Sequence, residues 1–193
     1  MRRLLVAVFI MVTGPAAAEP VSGREAGRLL FDAGQSRVIV SSRLDERGQQ
    51  MVRLMVPLME QQLGRKLEYY GAIAMSPDEG FQSEASQSAL NYHGVAAADA
   101  AALSACNANR RSGTRGCILA ARILPAGYEE RGLTLSTNAT RALRDTYARA
   151  RAPKALAASA STGAFAVGRP DEALAACQRG ARGAGDCAIV VRD

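Results

Sequence analysis

Residues 102–120 read ALSACNANRRSGTRGCILA, and residues 173–191 read ALAACQRGARGAGDCAIVV. Aligned, Leu103 falls on Leu174, Cys106 on Cys177 and Cys117 on Cys187, with one residue fewer in the second loop. The correspondence extends upstream. Ala74-Met75-Ser76-Pro77-Asp78-Glu79-Gly80 lines up with Ala157-Ala158-Ser159-Ala160-Ser161-Thr162-Gly163, and each continues into a segment holding phenylalanine. Self-similarity of this kind is the mark of a repeated supersecondary unit and is read before local motifs. Residues 69–124 and 154–193 are therefore expected to be two copies of one unit, the first with a longer middle.

Each copy reads as strand, turn, strand, helix, strand. In the first, Tyr69 to Ser76 is aromatic and aliphatic and ends in the turn signal Ser76-Pro77-Asp78-Glu79-Gly80. A second extended segment is expected around Phe81 to Tyr92, an alanine-rich helix over Val95 to Ala108, and a strand from Cys117 to Leu124. The second copy compresses this into a hairpin of Leu156–Ser159 and Gly163–Val167. A helix then opens at Pro170, where the fixed φ suits the first turn, and runs over Asp171–Arg179 to a closing strand, Cys187–Val191. The expected fold is α+β: two pseudo-repeated ββαβ units forming one mixed sheet, with helices packed on one face.

The cysteines then occupy equivalent places, one ending a helix and one beginning the next strand. Four cysteines allow three pairings, and Cys106–Cys117 with Cys177–Cys187 is the one that keeps each unit independent. Four thiolates also suit zinc, but the spacing lacks C-x-x-C pairs. Closing loops of this size is worth roughly 2–3 kcal/mol each.

The N-terminus points to an oxidising compartment, where such bonds persist. Arg2-Arg3, the apolar Leu4–Val12 and Ala16-Ala17-Ala18 have the layout of a secretory signal peptide. The apolar run falls short of the roughly 20 residues needed to span a bilayer, and no longer one follows it. The expected organisation is a signal peptide (1–18), an N-terminal segment (19–68), unit 1 (69–124), a helical linker (125–153) and unit 2 (154–193). About 175 residues remain after cleavage, a single domain by length. The expected location is the periplasm or the exterior, with no transmembrane segment in the mature chain.

The rest of the chain is less patterned. Arg28–Phe31 reads as a short helix or strand, followed by a turn and a strand at Arg37–Val40. Leu44–Leu63 reads as an amphipathic helix with Met51, Leu54, Met55, Leu58 and Met59 on one face, kinked or split by Pro57. That methionine stripe is read as adaptable core packing rather than a copper site. A further helix is expected at Thr137–Arg151, capped by Thr137 or Asn138. His93, the one histidine, sits in Tyr92-His93-Gly94 without a cysteine or carboxylate partner in sequence and reads as a turn or capping residue.

The chain carries 24 basic and 18 acidic side chains, so leaving out Arg2 and Arg3 gives a net charge of +4. Only Lys66 and Lys154 are lysines. Arg110, Arg111 and Arg115 lie in the first cysteine loop, and Arg179 and Arg182 in the second. Converging loops would make a cationic patch for an anionic envelope polymer or a protein partner. No aromatics interleave with these arginines, which speaks against nucleic acid. A G-x-S-x-G elbow is absent, one histidine excludes H-E-x-x-H, and disulfide-bonded cysteines leave no thiol nucleophile. A binding role with no cofactor is expected, an enzyme being the competing class.

The pattern A-x-S…G followed by A-L-x-A-C…G-x-C-x-I-V, carried by residues 69–124 and 154–193, resembles a family of exported bacterial domains of unknown function with repeated paired cysteines. The wider layout, with Tyr92-His93 and Pro153-Lys154-Ala155-Leu156, also resembles exported proteins sometimes labelled 5-aminolevulinate synthase. That label implies pyridoxal phosphate on a lysine. Here only Lys66 and Lys154 qualify, neither lies in a recognisable cofactor motif, and export would separate the protein from its acyl donor.

Overall fold

The computed structural model describes residues 19–193, so the signal-peptide expectation for residues 1–18 lies outside the described residues. The elements in chain order are α1 (Gly23–Leu29), β1 (Ser36–Val40), α2 (Glu46–Leu63), β2 (Gly71–Met75), β3 (Gln87–Ala89), α3 (Val95–Asn109) and β4 (Ile118–Pro125). They continue as α4 (Thr137–Ala142), running into a π-helical turn at Leu143–Tyr147, then β5 (Ala155–Ser159), β6 (Phe165–Gly168), α5 (Pro170–Gly180) and β7 (Cys187–Arg192).

The α+β class holds, but the single mixed sheet does not form. There are two antiparallel sheets, ordered β1-β4-β2-β3 and β6-β5-β7. The outer edge of β4 is taken by β1, and the outer edge of β7 is touched by Val21 in a parallel bridge. With β4 paired on both sides, the two closing strands cannot join edge to edge. Both central strands carry a register irregularity one step along, at Ile73/Ala74 in β2 and at Leu156/Ala157 in β5.

Helices also pack on both faces of each sheet rather than on one. The period-2 alternation of a strand sends successive side chains to opposite faces, and β2 and β5 are buried at every position. Ala72 and Ala74 face α3, where they meet Ala98, Ala102 and Cys106, all fully buried. Ile73 and Met75 face α2. In the second sheet Ala155 and Ala157 meet Ala173 and Cys177 of α5, while Leu156 and Ala158 pack with Ala26 of α1 and with Leu143 and Tyr147 of the π-helical turn. Small side chains on the α3 and α5 faces let helix and sheet approach closely, which is where the abundance of alanine goes.

Helix α2 turns a different side inward from the one expected. Val52 is buried, with Val56 and Met59 packed beside it on β1, β2 and β4, while Leu54 and Leu58 stand 60% and 59% exposed. Apolar residues occupy positions 51, 52, 54, 55, 56, 58 and 59, so helical periodicity offers two overlapping stripes. Only contact with the sheet chooses between them. Pro57 does not split the helix; it is exposed, and α2 runs unbroken from Asp45, whose carboxylate caps the Gly48 amide, to Gly64 in the left-handed conformation. The N-cap of α4 is Ser136 rather than Thr137 or Asn138, its hydroxyl accepting from the Ala139 amide.

The two halves meet at the β5–β6 turn. A Cβ on Gly163 would lie 2.5 Å from the Asn91 carbonyl oxygen. Gly163→Ala is expected to destabilise the fold by about 1–3 kcal/mol through this clash. Gly27→Ala, on α1 with open space around the site, should instead be neutral or stabilising by up to about 1 kcal/mol, because glycine costs that much in a helix. Chemical denaturation of both variants checks the pair.

Candidate functional site

Each cysteine loop is closed by a disulfide, Cys106–Cys117 and Cys177–Cys187, both with Cα–Cα separations of 6.1 Å. Each joins the end of a helix to the start of the following strand, as the sequence pattern predicts, and Cys106 and Cys177 are fully buried.

The loops are held against the neighbouring turns by carboxylates, with opposite polarity in the two halves. In the first, the turn supplies the acids. Glu79 accepts from the Arg111 amide at 3.0 Å, the Arg111 Nε at 3.2 Å and the Thr114 hydroxyl at 3.2 Å. Asp78 accepts from the Arg115 amide at 2.8 Å and its Nε at 2.7 Å. The Arg115 guanidinium beside Asp78 holds that carboxyl below its usual range. Partial burial would raise Glu79, but hydrogen bonds led by the Arg111 amide outweigh it and the net shift is downward. In the second half the loop supplies the acid: Asp186 accepts from the Ser159 hydroxyl at 2.6 Å and the Ser161 amide at 2.7 Å.

This geometry separates the five candidate arginines. Arg111 and Arg115 are spent on Glu79 and Asp78, and Arg110 donates to Asn107 Oδ1 and the Thr114 carbonyl within its own loop. Arg179 and Arg182 are exposed and have no ion-pair partner among the described residues. The arginines of the first loop are thus tied down by Asp78, Glu79 and neutral acceptors, while Arg179 and Arg182 stay outside any ion pair.

A more developed concavity lies beside the first loop. An open groove of about 710 Å³ runs between the start of α2 and the turn after β2. Leu44, Met51, Met75, Phe81 and Ile118 make its floor, and Arg43 and Arg47 stand on its rim. The two acids that line it are engaged elsewhere, Asp45 on the Gly48 amide and Glu79 on the first loop. Arg43 and Arg47 have no carboxylate partner among the described residues, so their guanidinium charge is available to a ligand. Sequence reading missed this groove because its lining comes from three separate stretches, residues 43–51, 75–82 and Ile118. The one local signal is the arginine pair four apart that opens a methionine-bearing helix.

His93 lies outside the groove and is 5% exposed. The Ser136 amide donates to its Nδ1 at 3.1 Å, so Nε2 carries the proton and donates to the Ala164 carbonyl at 2.9 Å. One ring therefore joins the β3–α3 turn, the N-cap of α4 and the β5–β6 hairpin. Burial pushes its pKa below the ordinary histidine value, opposed by the Ala164 carbonyl and by the charge of Asp186. Phe165 stacks edge-on against it, with ring centroids 6.1 Å apart.

Neither lysine lines the groove. Lys66 pairs with Glu60 at 2.6 Å. Lys154 donates to the Tyr147 carbonyl and lies 4.6 Å over the Tyr147 ring. Among the described residues no helix is long and apolar enough to cross a membrane. Comparison with protein-family models, with curated proteins and with solved structures finds no match to this chain.

Proposed function

We propose that this chain is an exported binding protein of the cell envelope, two copies of one disulfide-stapled unit, whose groove receives a protein segment bearing an apolar side chain flanked by carboxylates. The observation that carries this reading is the groove itself: an apolar floor under two guanidinium groups that have no carboxylate of their own. Burying a leucine- or phenylalanine-sized side chain is worth about 1.5–3 kcal/mol. A partly exposed ion pair adds about 1 kcal/mol or less. The floor then supplies most of the affinity, and Arg43 and Arg47 supply orientation and encounter rate. A phosphate or sugar polymer would satisfy the arginines but leave the floor wet, which favours the protein partner. The two disulfides and the signal-peptide pattern support an extracytoplasmic location.

The test is titration of the oxidised protein with capped Glu-Leu-Phe-Glu and Lys-Leu-Phe-Lys peptides, followed by NMR or fluorescence. Saturable binding of the acidic peptide is expected, weakened about tenfold by Phe81→Ala and by Arg43→Ala with Arg47→Ala. Equal binding of the lysine peptide, or binding indifferent to those substitutions, would overturn the reading.

A further inference from the structure

Strand β1 forms one edge of the first sheet, with β4 on one side only. The Ser41 amide donates to the Ala120 carbonyl and the Ala126 amide to the Gln35 carbonyl. In an antiparallel ladder hydrogen-bonded pairs alternate with non-bonded pairs. With the register Arg37↔Leu124 and Ile39↔Arg122, residues 37 and 39 spend their backbone groups on β4. The N–H and C=O groups of Ser36, Val38 and Val40 therefore point away from the sheet, and nothing among the described residues pairs with them.

An open row of this kind is a ready template for another strand, and proteins usually blunt it. Here one such device is present, the charge of Arg37, and residues 38–40 beside it are apolar. Ile39 is 45% exposed. Hollows of about 500 and 390 Å³ flank the two ends of the strand. They hold Arg37 and Arg43 without ion-pair partners, and their one carboxylate, Glu60, is bound by Lys66 and the Leu67 amide. Arg43 belongs both to the upper hollow and to the groove over Phe81, so the strand edge leads into the groove.

We infer that β1 is a strand-addition site for an extended, acidic-and-apolar segment of a partner protein. The segment pairs its backbone with Ser36, Val38 and Val40, sets a carboxylate beside Arg37, and continues past Arg43 into the groove. This rests on the groove reading and specifies the binding mode. Backbone pairing provides affinity and alternate side chains provide selection. A second copy of the chain is the less suited occupant, because pairing β1 with β1 brings two uncompensated Arg37 side chains onto one edge.

The probe is a capped (Val-Glu)₃ peptide, with (Val-Lys)₃ as control, titrated into the oxidised full-length mature protein. Amides of Ser36, Val38 and Val40 should exchange quickly in the free protein and at least tenfold more slowly in the complex, while Arg37 and Ile39 are slow in both. N-methylation of one alternate set of peptide amides should abolish binding, and of the other set leave it unchanged. Val38→Pro should weaken binding about tenfold; its fold is checked by thermal melting, and the N-methyl series on the unmodified protein stands if it fails to fold. Binding that survives both blocks yet is lost with Phe81→Ala overturns strand addition and leaves the groove reading intact. Binding lost to N-methylation but indifferent to Phe81→Ala does the reverse. No saturation by (Val-Glu)₃, or a dimer of the free protein that Val38→Pro dissolves, overturns the inference.

Discussion

Replacing all four cysteines by alanine is expected to cost about 5 kcal/mol, which is comparable to the whole stability of an ordinary domain, and to leave the chain largely unfolded. The loops span sequence separations of 11 and 10 residues, and each closure contributes roughly 2–3 kcal/mol by restricting the unfolded chain. The two bonds should not contribute equally to cooperativity. Beneath α3 the first unit adds Tyr69 and Tyr70 to its alanines. Beneath α5 the second has mainly Ala155, Ala157, Ala166 and Ala173, with Leu174 and Ile189 only partly buried. Less apolar area means less burial energy, so Cys177→Ala/Cys187→Ala should lower the melting temperature more than Cys106→Ala/Cys117→Ala. Thermal unfolding of the two paired variants, and of the native protein with and without reductant, measures this. A reduced protein that melts where the oxidised one does would refute the stapling argument.

Removing the His93 side chain should be the largest single-residue effect. His93→Ala leaves the Ser136 amide buried without a partner, takes one of two N–H donors from the Ala164 carbonyl, which keeps the Ser159 amide, and opens a cavity between three elements. An unsatisfied buried group costs about 1–3 kcal/mol and the cavity adds to it, so a loss of roughly 2–4 kcal/mol is expected. The same contacts set a pH dependence. Nδ1 must stay unprotonated to accept from Ser136, and burial lowers the folded-state pKa below the ordinary value of 6.5. The unfolded chain therefore binds the proton more readily, so the contribution of His93 is fully present above pH 6.5 and is lost as the pH falls below it. Asp186 is the nearby charge that limits the shift, since its carboxylate favours the imidazolium. Asp78, Glu79 and Asp186 have lowered pKa values as well. Their contributions are present above the ordinary carboxyl range and are lost only in stronger acid, so the two windows separate. Denaturant midpoints from pH 8 to pH 5 should fall for the native protein and flatten for His93→Gln. A slope of the same size in both would remove His93 from the account.

Much of the local structure is legible because it is written in local chemistry. The helix at Val95–Asn109, the hairpin ending in Gly168, Pro170 at the first turn of α5 and the strands after Cys117 and Cys187 follow from propensity, turn residues and cysteine placement. The pairing of the cysteines is legible too, because each pair sits on consecutive elements that must be neighbours. The inward face of α2 is not. Two apolar stripes overlap on it, and selecting Val52, Val56 and Met59 over Leu54 and Leu58 depends on which side meets Ile73 and Met75. The role of His93 is equally hidden, since its partners Ser136 and Ala164 lie 43 and 71 residues away.

What the sequence by itself determines here is most of the elements of the two cysteine-bearing units, their order and their covalent staples, since these depend on interactions within a few residues or on neighbouring elements. What only the tertiary structure decides is how those elements share edges and faces. β1 takes the outer edge of β4, so two sheets form where one was expected. Burial on both faces draws a helix to each side of both sheets, and the groove appears where α2 crosses the turn after β2. Edge occupancy and face coverage are settled by competition among distant segments for the same surface, and no stretch of the chain carries that outcome within itself.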